Sequence, residues 1–204
     1  INDVVGTVSY PVLSNLQQSK DEMLRLYKQP LLYTSMLTFP IMVMTALLAH
    51  PLVLVLLTEK WLPCVVLLQI LCLARMFTPI SALNINILNA HGRTDLTLKI
   101  ESIKIAYGIV ALMITIPIGV KAIVIGNLVT TIISFFVNTC YPGKLMGYGA
   151  LKMLRDWRYI LYSVVAMAAV VFLLNMVITS PLLQILVSGT AGFAVYLAMC
   201  VMFR

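Results

Sequence analysis

Apolar positions in this chain fall into long unbroken runs, and short polar stretches separate them. The complete runs are 31–58, 62–90, 96–120, 122–141, 159–178 and 182–203, and another, 1–16, is cut at its start. A bilayer core about 30 Å thick needs roughly 20 helical residues at about 1.5 Å each, and every complete run reaches that length. In lipid every backbone N–H and C=O has to be bonded internally, which leaves helices or closed barrels. Barrel strands alternate over about 10 residues, so runs this uniform predict helices. The pattern therefore predicts an all-α, polytopic transmembrane helix bundle, a single transmembrane domain over 1–204. Because the chain starts at Ile1 inside an apolar run, it is read as a piece whose preceding part is missing.

The connections are short. Glu59-Lys60-Trp61, His91–Asp95, Gly119–Lys121 and Thr179–Pro181 are tight turns, and Gln17–Gln29 is a longer polar link. The stretch from about 145 to 158 mixes Lys152, Arg155 and Arg158 with Leu151, Leu154 and Trp157. It predicts an interfacial amphipathic helix with snorkelling cations and a tryptophan anchor. Pro40, Pro51, Pro79 and Pro117 sit inside predicted spans, where each removes a helix hydrogen bond.

Composition agrees with a bilayer as solvent. The chain is 61% hydrophobic and 10% charged, with a mean hydropathy of +1.01. A soluble domain is about 25% charged and could not cover this much apolar surface. Charge placement then orients the chain. Alternate connections hold Lys20, Arg25 and Lys28; Arg93, Lys99 and Lys104; Lys144, Lys152, Arg155 and Arg158; and terminal Arg204. The opposite connections hold only Lys60 and Lys121. The positive-inside rule puts the basic side, and with it the C-terminus, in the cytoplasm. The net charge of +7 is thus a topology signal, and no nucleic-acid partner is expected.

Enzyme signatures are missing. No GxSxG, HExxH or P-loop pattern occurs, and no acid pair is placed for proton transfer. No catalytic residue, cofactor or metal is predicted, and Cys64, Cys72, Cys140 and Cys200 read as free apolar thiols. Arg75 lies near the middle of a run, where a cation costs about 2.5–3.5 kcal/mol on insertion scales. It reads either as an anion contact or as a structural partner of a carbonyl freed by Pro79. Asn84, Asn86 and Asn89 suit sugar hydrogen bonds or bonds between helices. Asn89 reads as a helix-end residue ahead of Gly92, while Asn86 stays open. Ser188 and Gly192 form a small-xxx-small pair that predicts close packing of the last span.

Three stretches together carry a resemblance. They are VGTVSYPVLSNLQQSKDEMLRLYKQ; the segment that joins Glu59-Lys60-Trp61 to Ala90-His91-Gly92-Arg93-Thr94-Asp95; and the spans that follow. The chain resembles the C-terminal half of a bacterial polysaccharide or O-antigen flippase, of the multidrug/oligosaccharidyl-lipid/polysaccharide exporter superfamily. The resemblance implies one lobe of a two-lobed helical fold around a central cavity. It also implies translocation of undecaprenyl-pyrophosphate-linked oligosaccharide to the periplasmic leaflet of the inner membrane, by alternating access and without bond chemistry. The implied partners are that lipid-linked oligosaccharide, membrane lipids, and a glycan polymerase and glycosyltransferases of the same route. The first two spans would line the cavity, which makes Asp3, Tyr10, Arg25, Lys28, Tyr33 and Thr38 cavity or mouth residues, with Arg25 and Lys28 where a pyrophosphate enters. Arg75 and Asn86 join them as candidate substrate contacts, and Asp3 is the one candidate for ion coupling. The alternatives are a glycan-assembly enzyme such as a polymerase, or a drug or small-solute antiporter of the same superfamily.

Overall fold

The first element is a 28-residue helix, α1 (Lys20–Leu47), which continues through Pro30 and Pro40. It ends ahead of Pro51, whose missing N–H and ring interrupt the ladder, and α2 (Ala49–Leu57) follows after Leu48. The computed structural model describes residues 20–90 and 92–202, so Asp3 and Tyr10 lie outside the described residues. A 3-10 segment, Glu59–Cys64, leads into α3 (Val65–Arg75) and α4 (Thr78–Ala90). Then come α5 (Thr94–Thr115), α6 (Val120–Met146), α7 (Ala150–Asp156) and α8 (Arg158–Val177). A helical turn at Pro181–Leu183 and a π-helical turn at Gln184–Ser188 lead into α9 (Gly189–Met202). Among the described residues there is no strand. The chain is an all-α, multi-pass helical membrane protein.

Five stretches are long and apolar enough to cross a membrane: Leu24–Leu47, Glu59–Ala90, Val120–Tyr141, Arg158–Val177 and Pro181–Met202. The predicted runs differ from these in ways that trace to particular residues. The run 31–58 is divided at Leu48, ahead of Pro51, and 62–90 is divided after Arg75, ahead of Pro79. The run 96–120 is helical only to Thr115, because Pro117 stops it, and Lys99, Glu101 and Lys104 occupy its first turns. Its apolar helical part, 105–115, is about 16 Å long, short of a bilayer core. The turn between α4 and α5 was legible from Gly92. Its left-handed φ of 69° lets the Arg93 N–H reach the Leu88 carbonyl and its own N–H reach Asn89, at 3.0 Å each.

The chain divides into two compact units, each discontinuous in sequence. The first comprises the chain to Ser35 and Phe77–Asp156. Its buried side chains include Leu31, Ile80, Leu88, Ile100, Phe135 and Met153, and the Phe77 and Phe135 rings meet at a tilt of 48° with centroids 5.3 Å apart.

The second unit comprises Met36–Met76 and the chain from Trp157. Its core holds Phe39, Ala49, Val53, Trp157, Met167 and Val171. The small-residue pair acts as expected: Ser188 is buried, and Gly192 lets α9 close on α8. A Cβ at Gly192 would sit 2.4 Å from Val171 Cγ2. The predicted interfacial helix is shorter than expected, since 145–146 end α6 and only Ala150–Asp156 form α7. Trp157 is not a surface anchor: it is 1% exposed and meets Phe39 edge to face, centroids 5.2 Å apart.

Pro40 within α1 and Pro51 in the first turn of α2 each leave a carbonyl that a distant side chain takes up. Pro40 deprives the Met36 carbonyl of its helix donor, and the Tyr196 hydroxyl donates to it at 2.6 Å. Pro51 does the same to Leu47, which accepts from Asn175 Nδ2 at 3.5 Å. Gln184 Nε2 in turn donates to the end of α8, at Asn175 O (3.1 Å) and Ile178 O (2.7 Å). In a bilayer no water replaces these partners, so such prolines persist only where side chains satisfy the freed groups.

Candidate functional site

The first unit holds a chain of polar side chains that links α1, α4, α6 and α7. Tyr27 on α1 is 3% exposed, and its hydroxyl donates to Asn84 Oδ1 on α4. Asn84 Nδ2 donates to Thr139 Oγ1 on α6 at 2.9 Å, and Thr139 donates to the Phe135 carbonyl at 2.7 Å. Asn84 and Thr139 are fully buried. An interhelical bond of this kind contributes about 0.6 kcal/mol on average. An orphaned buried group costs about 1–3 kcal/mol, so the larger effect of this chain is to fix one register among three helices.

The neighbouring part of the site is ionic. Tyr27 packs edge-on against Tyr148, centroids 6.1 Å apart. The Tyr148 hydroxyl donates to Asp156 Oδ2 at 2.7 Å, and Lys28 Nζ approaches the same oxygen at 2.7 Å. Lys28 Nζ also lies 5.5 Å from the centre of the Tyr148 ring, within cation–π range. Burial pulls the Asp156 carboxyl up, but the hydrogen bonds from Lys28 and Tyr148 outweigh it and hold the group below its ordinary value. Burial, then the hydrogen bond to Asp156, pushes the Tyr148 phenol up, so it stays a donor. The Lys28 and Asp156 side chains are 40% and 30% exposed, so the ion pair is open to a ligand.

Of the predicted site residues, Arg25, Lys28, Tyr33 and Asn86 fall in the first unit. Lys28 stands in the ionic cluster; Arg25, one turn before it on α1, is exposed. Tyr33 is 68% exposed, and Asn86 is half-buried. Asn84 is the asparagine that bridges helices. Asn89 has the structural role expected of it, accepting from Thr97 Oγ1 at 2.8 Å. Thr38 and Arg75 belong to the second unit, Thr38 buried and Arg75 exposed at the break between α3 and α4. Beside Pro40 the second unit also has a groove of about 220 Å³, lined by Ile41, Met44, Thr45, Leu48, Leu52 and Phe193. Its one hydroxyl, Thr45, is bonded to Ile41 O at 2.7 Å, so the groove offers hydrocarbon packing and few polar contacts.

The reading from sequence missed Tyr27, Asn138, Thr139, Tyr148 and Asp156. Asn138 adjoins Thr139 and is fully buried, and neither atom of its amide has a partner among the described residues. The signal for Asp156 was present, because it is the only acid in the basic 144–158 segment.

Residues 1–66, which include Arg25 and Lys28, match a family model described as "Polysaccharide biosynthesis protein". A curated relative, the uncharacterized membrane protein MJ1068 of Methanocaldococcus jannaschii, is 26% identical over 200 residues. That alignment covers 95% of this chain, and the chain spans 38% of the relative's length. No solved structure matches.

Proposed function

We propose that this chain is part of a membrane transporter that moves lipid-linked oligosaccharide from the cytoplasmic to the periplasmic leaflet by alternating access, without bond chemistry. The observation that carries the reading is the accessible Lys28 with Arg25 one turn away, within the segment similar to polysaccharide biosynthesis proteins. Two cations at a helix end suit the pyrophosphate that joins a polyprenyl tail to a glycan. The excess of basic residues in alternate connections supports a cytoplasmic position for that end by the positive-inside rule, the side on which such substrates are assembled. Prolines whose freed carbonyls are held by side chains suit helices that change shape during transport.

Deleting the gene tests this. The expected result is loss of surface glycan and build-up of its lipid-linked precursor, both reversed by the wild-type gene. Normal surface glycan with no precursor build-up overturns the reading. Turnover of lipid-linked sugar by the purified protein alone would favour a glycan-assembly enzyme instead.

A further inference from the structure

Lys28 is not a vacant cation: its ammonium is occupied by a carboxylate from the far end of the first unit's sequence. We propose that Asp156 is a tethered counter-ion, which holds Lys28 until a lipid-borne phosphate or pyrophosphate takes its place, and so sets the affinity of the site. This rests on the transport reading for its ligand.

Three observations carry the exchange. The pair is 40% and 30% exposed, so water and ligand reach it, and a pair this open is weak. Asp156 has a second donor in the Tyr148 hydroxyl at 2.7 Å, so its carboxylate stays hydrogen-bonded when Lys28 leaves. Tyr148 is 5% exposed and braced by the Tyr27 ring, which keeps that donor in place. Nearby charge favours an arriving anion. Arg25 is exposed one turn along α1, and Arg155 is exposed beside Asp156. A pyrophosphate carries more charge than a carboxylate and accepts several charge-assisted bonds, so it outcompetes Asp156 for Lys28 and then gains Arg25. A neutral or cationic solute has no such advantage, so the counter-ion also selects against it.

Binding of farnesyl pyrophosphate and of phosphatidylglycerol to the purified intact protein, read by native mass spectrometry, tests the exchange. Asp156→Asn keeps an acceptor for Tyr148 but removes the competing charge, and is expected to lower the Kd for farnesyl pyrophosphate about fivefold. Lys28→Gln is expected to raise it by a similar factor, and Asp156→Asn added to Lys28→Gln to change nothing further. If Asp156→Asn does not fold, Asp156→Ser carries the same expectation. A gain confined to farnesyl pyrophosphate assigns the site to the pyrophosphate linker, and an equal gain with phosphatidylglycerol assigns it to phospholipid headgroups. Unchanged or weaker binding of both lipids by the folded Asp156 variants overturns the counter-ion role. Failure of the transport reading is separable: surface glycan would then survive gene deletion while binding still responds to Asp156.

Discussion

The Tyr196 hydroxyl donates to the Met36 carbonyl at 2.6 Å, the carbonyl that Pro40 leaves without a helix donor. A proline within one span is thereby coupled to a side chain 160 residues from the carbonyl it frees. Tyr196→Phe is expected to cost about 1 kcal/mol, visible as a lower melting temperature in detergent. Pro40→Ala restores the N–H that serves Met36, so Tyr196→Phe should cost less in that background. A double-mutant cycle measures the difference, and strictly additive costs would show that the hydroxyl does not compensate for the proline.

Asn84 bridges Tyr27 and Thr139, so removing its amide orphans the Tyr27 hydroxyl in a place without water, while Thr139 keeps its bond to the Phe135 carbonyl. Asn84→Ala is expected to destabilise by about 1–3 kcal/mol, the penalty of the one orphaned hydroxyl. Asn86→Ala, at a half-buried position, is expected to cost less than about 1 kcal/mol. Equal losses in a side-by-side melting experiment would contradict the bridging role.

The spans were legible because a bilayer dictates them: their length and apolarity follow from the backbone's need for internal hydrogen bonds. The breaks ahead of Pro51 and Pro79 were also written locally, although 31–58 and 62–90 read as single runs when hydropathy alone is followed. The site was less legible because its contacts are far apart in sequence. Tyr27 meets Asn84 across 57 residues and Asn84 meets Thr139 across 55, and no spacing rule reaches that far. Lys28 could be recognised as a candidate, but its partner could not, since Asp156 looked like one charge in an interfacial helix. Trp157 misled for the same reason: beside cations it resembles a surface anchor, yet tertiary packing buries it against Phe39.

Gly192 has no space for a methyl group. Gly192→Ala puts a Cβ 2.4 Å from Val171 Cγ2, so α8 and α9 have to separate, at a cost of about 1–3 kcal/mol. Gly189→Ala puts its Cβ at an ordinary 3.6 Å from Leu48 Cδ1 and is expected to be neutral or slightly stabilising. Adding Val171→Ala to Gly192→Ala should recover part of the loss. Equal melting temperatures for the two glycine variants would refute the close approach.

The ion pair gives the first unit a defined pH response. Asp156 titrates below its ordinary value in the folded chain, so the unfolded chain binds the proton more readily. Its contribution to stability is therefore complete above the ordinary carboxylate range, at about pH 4, and is lost as pH falls through the depressed value. Wild type should lose more stability than Asp156→Asn between about pH 5 and pH 2, and the two curves should run parallel at neutral pH. Parallel curves across the acid range as well would mean that Asp156 has no stabilising partner.

Asn138 is fully buried and its amide has no partner among the described residues, so its burial is a standing cost. Leu has the same branching and heavy-atom count and no polar atom, so Asn138→Leu is expected to raise stability by up to about 1–3 kcal/mol, the penalty of the unpaired amide, less the cost of fitting its bulkier methyls. Asn138→Asp would leave a charge in the same place and is expected to destabilise more than any other single change proposed for this helix. Thermal melting of the two variants against wild type checks both signs together. A destabilised Asn138→Leu would mean that the amide has a bonding partner in the membrane, and the side chain would then belong with Asn84 and Thr139 in the polar chain that ties the helices together.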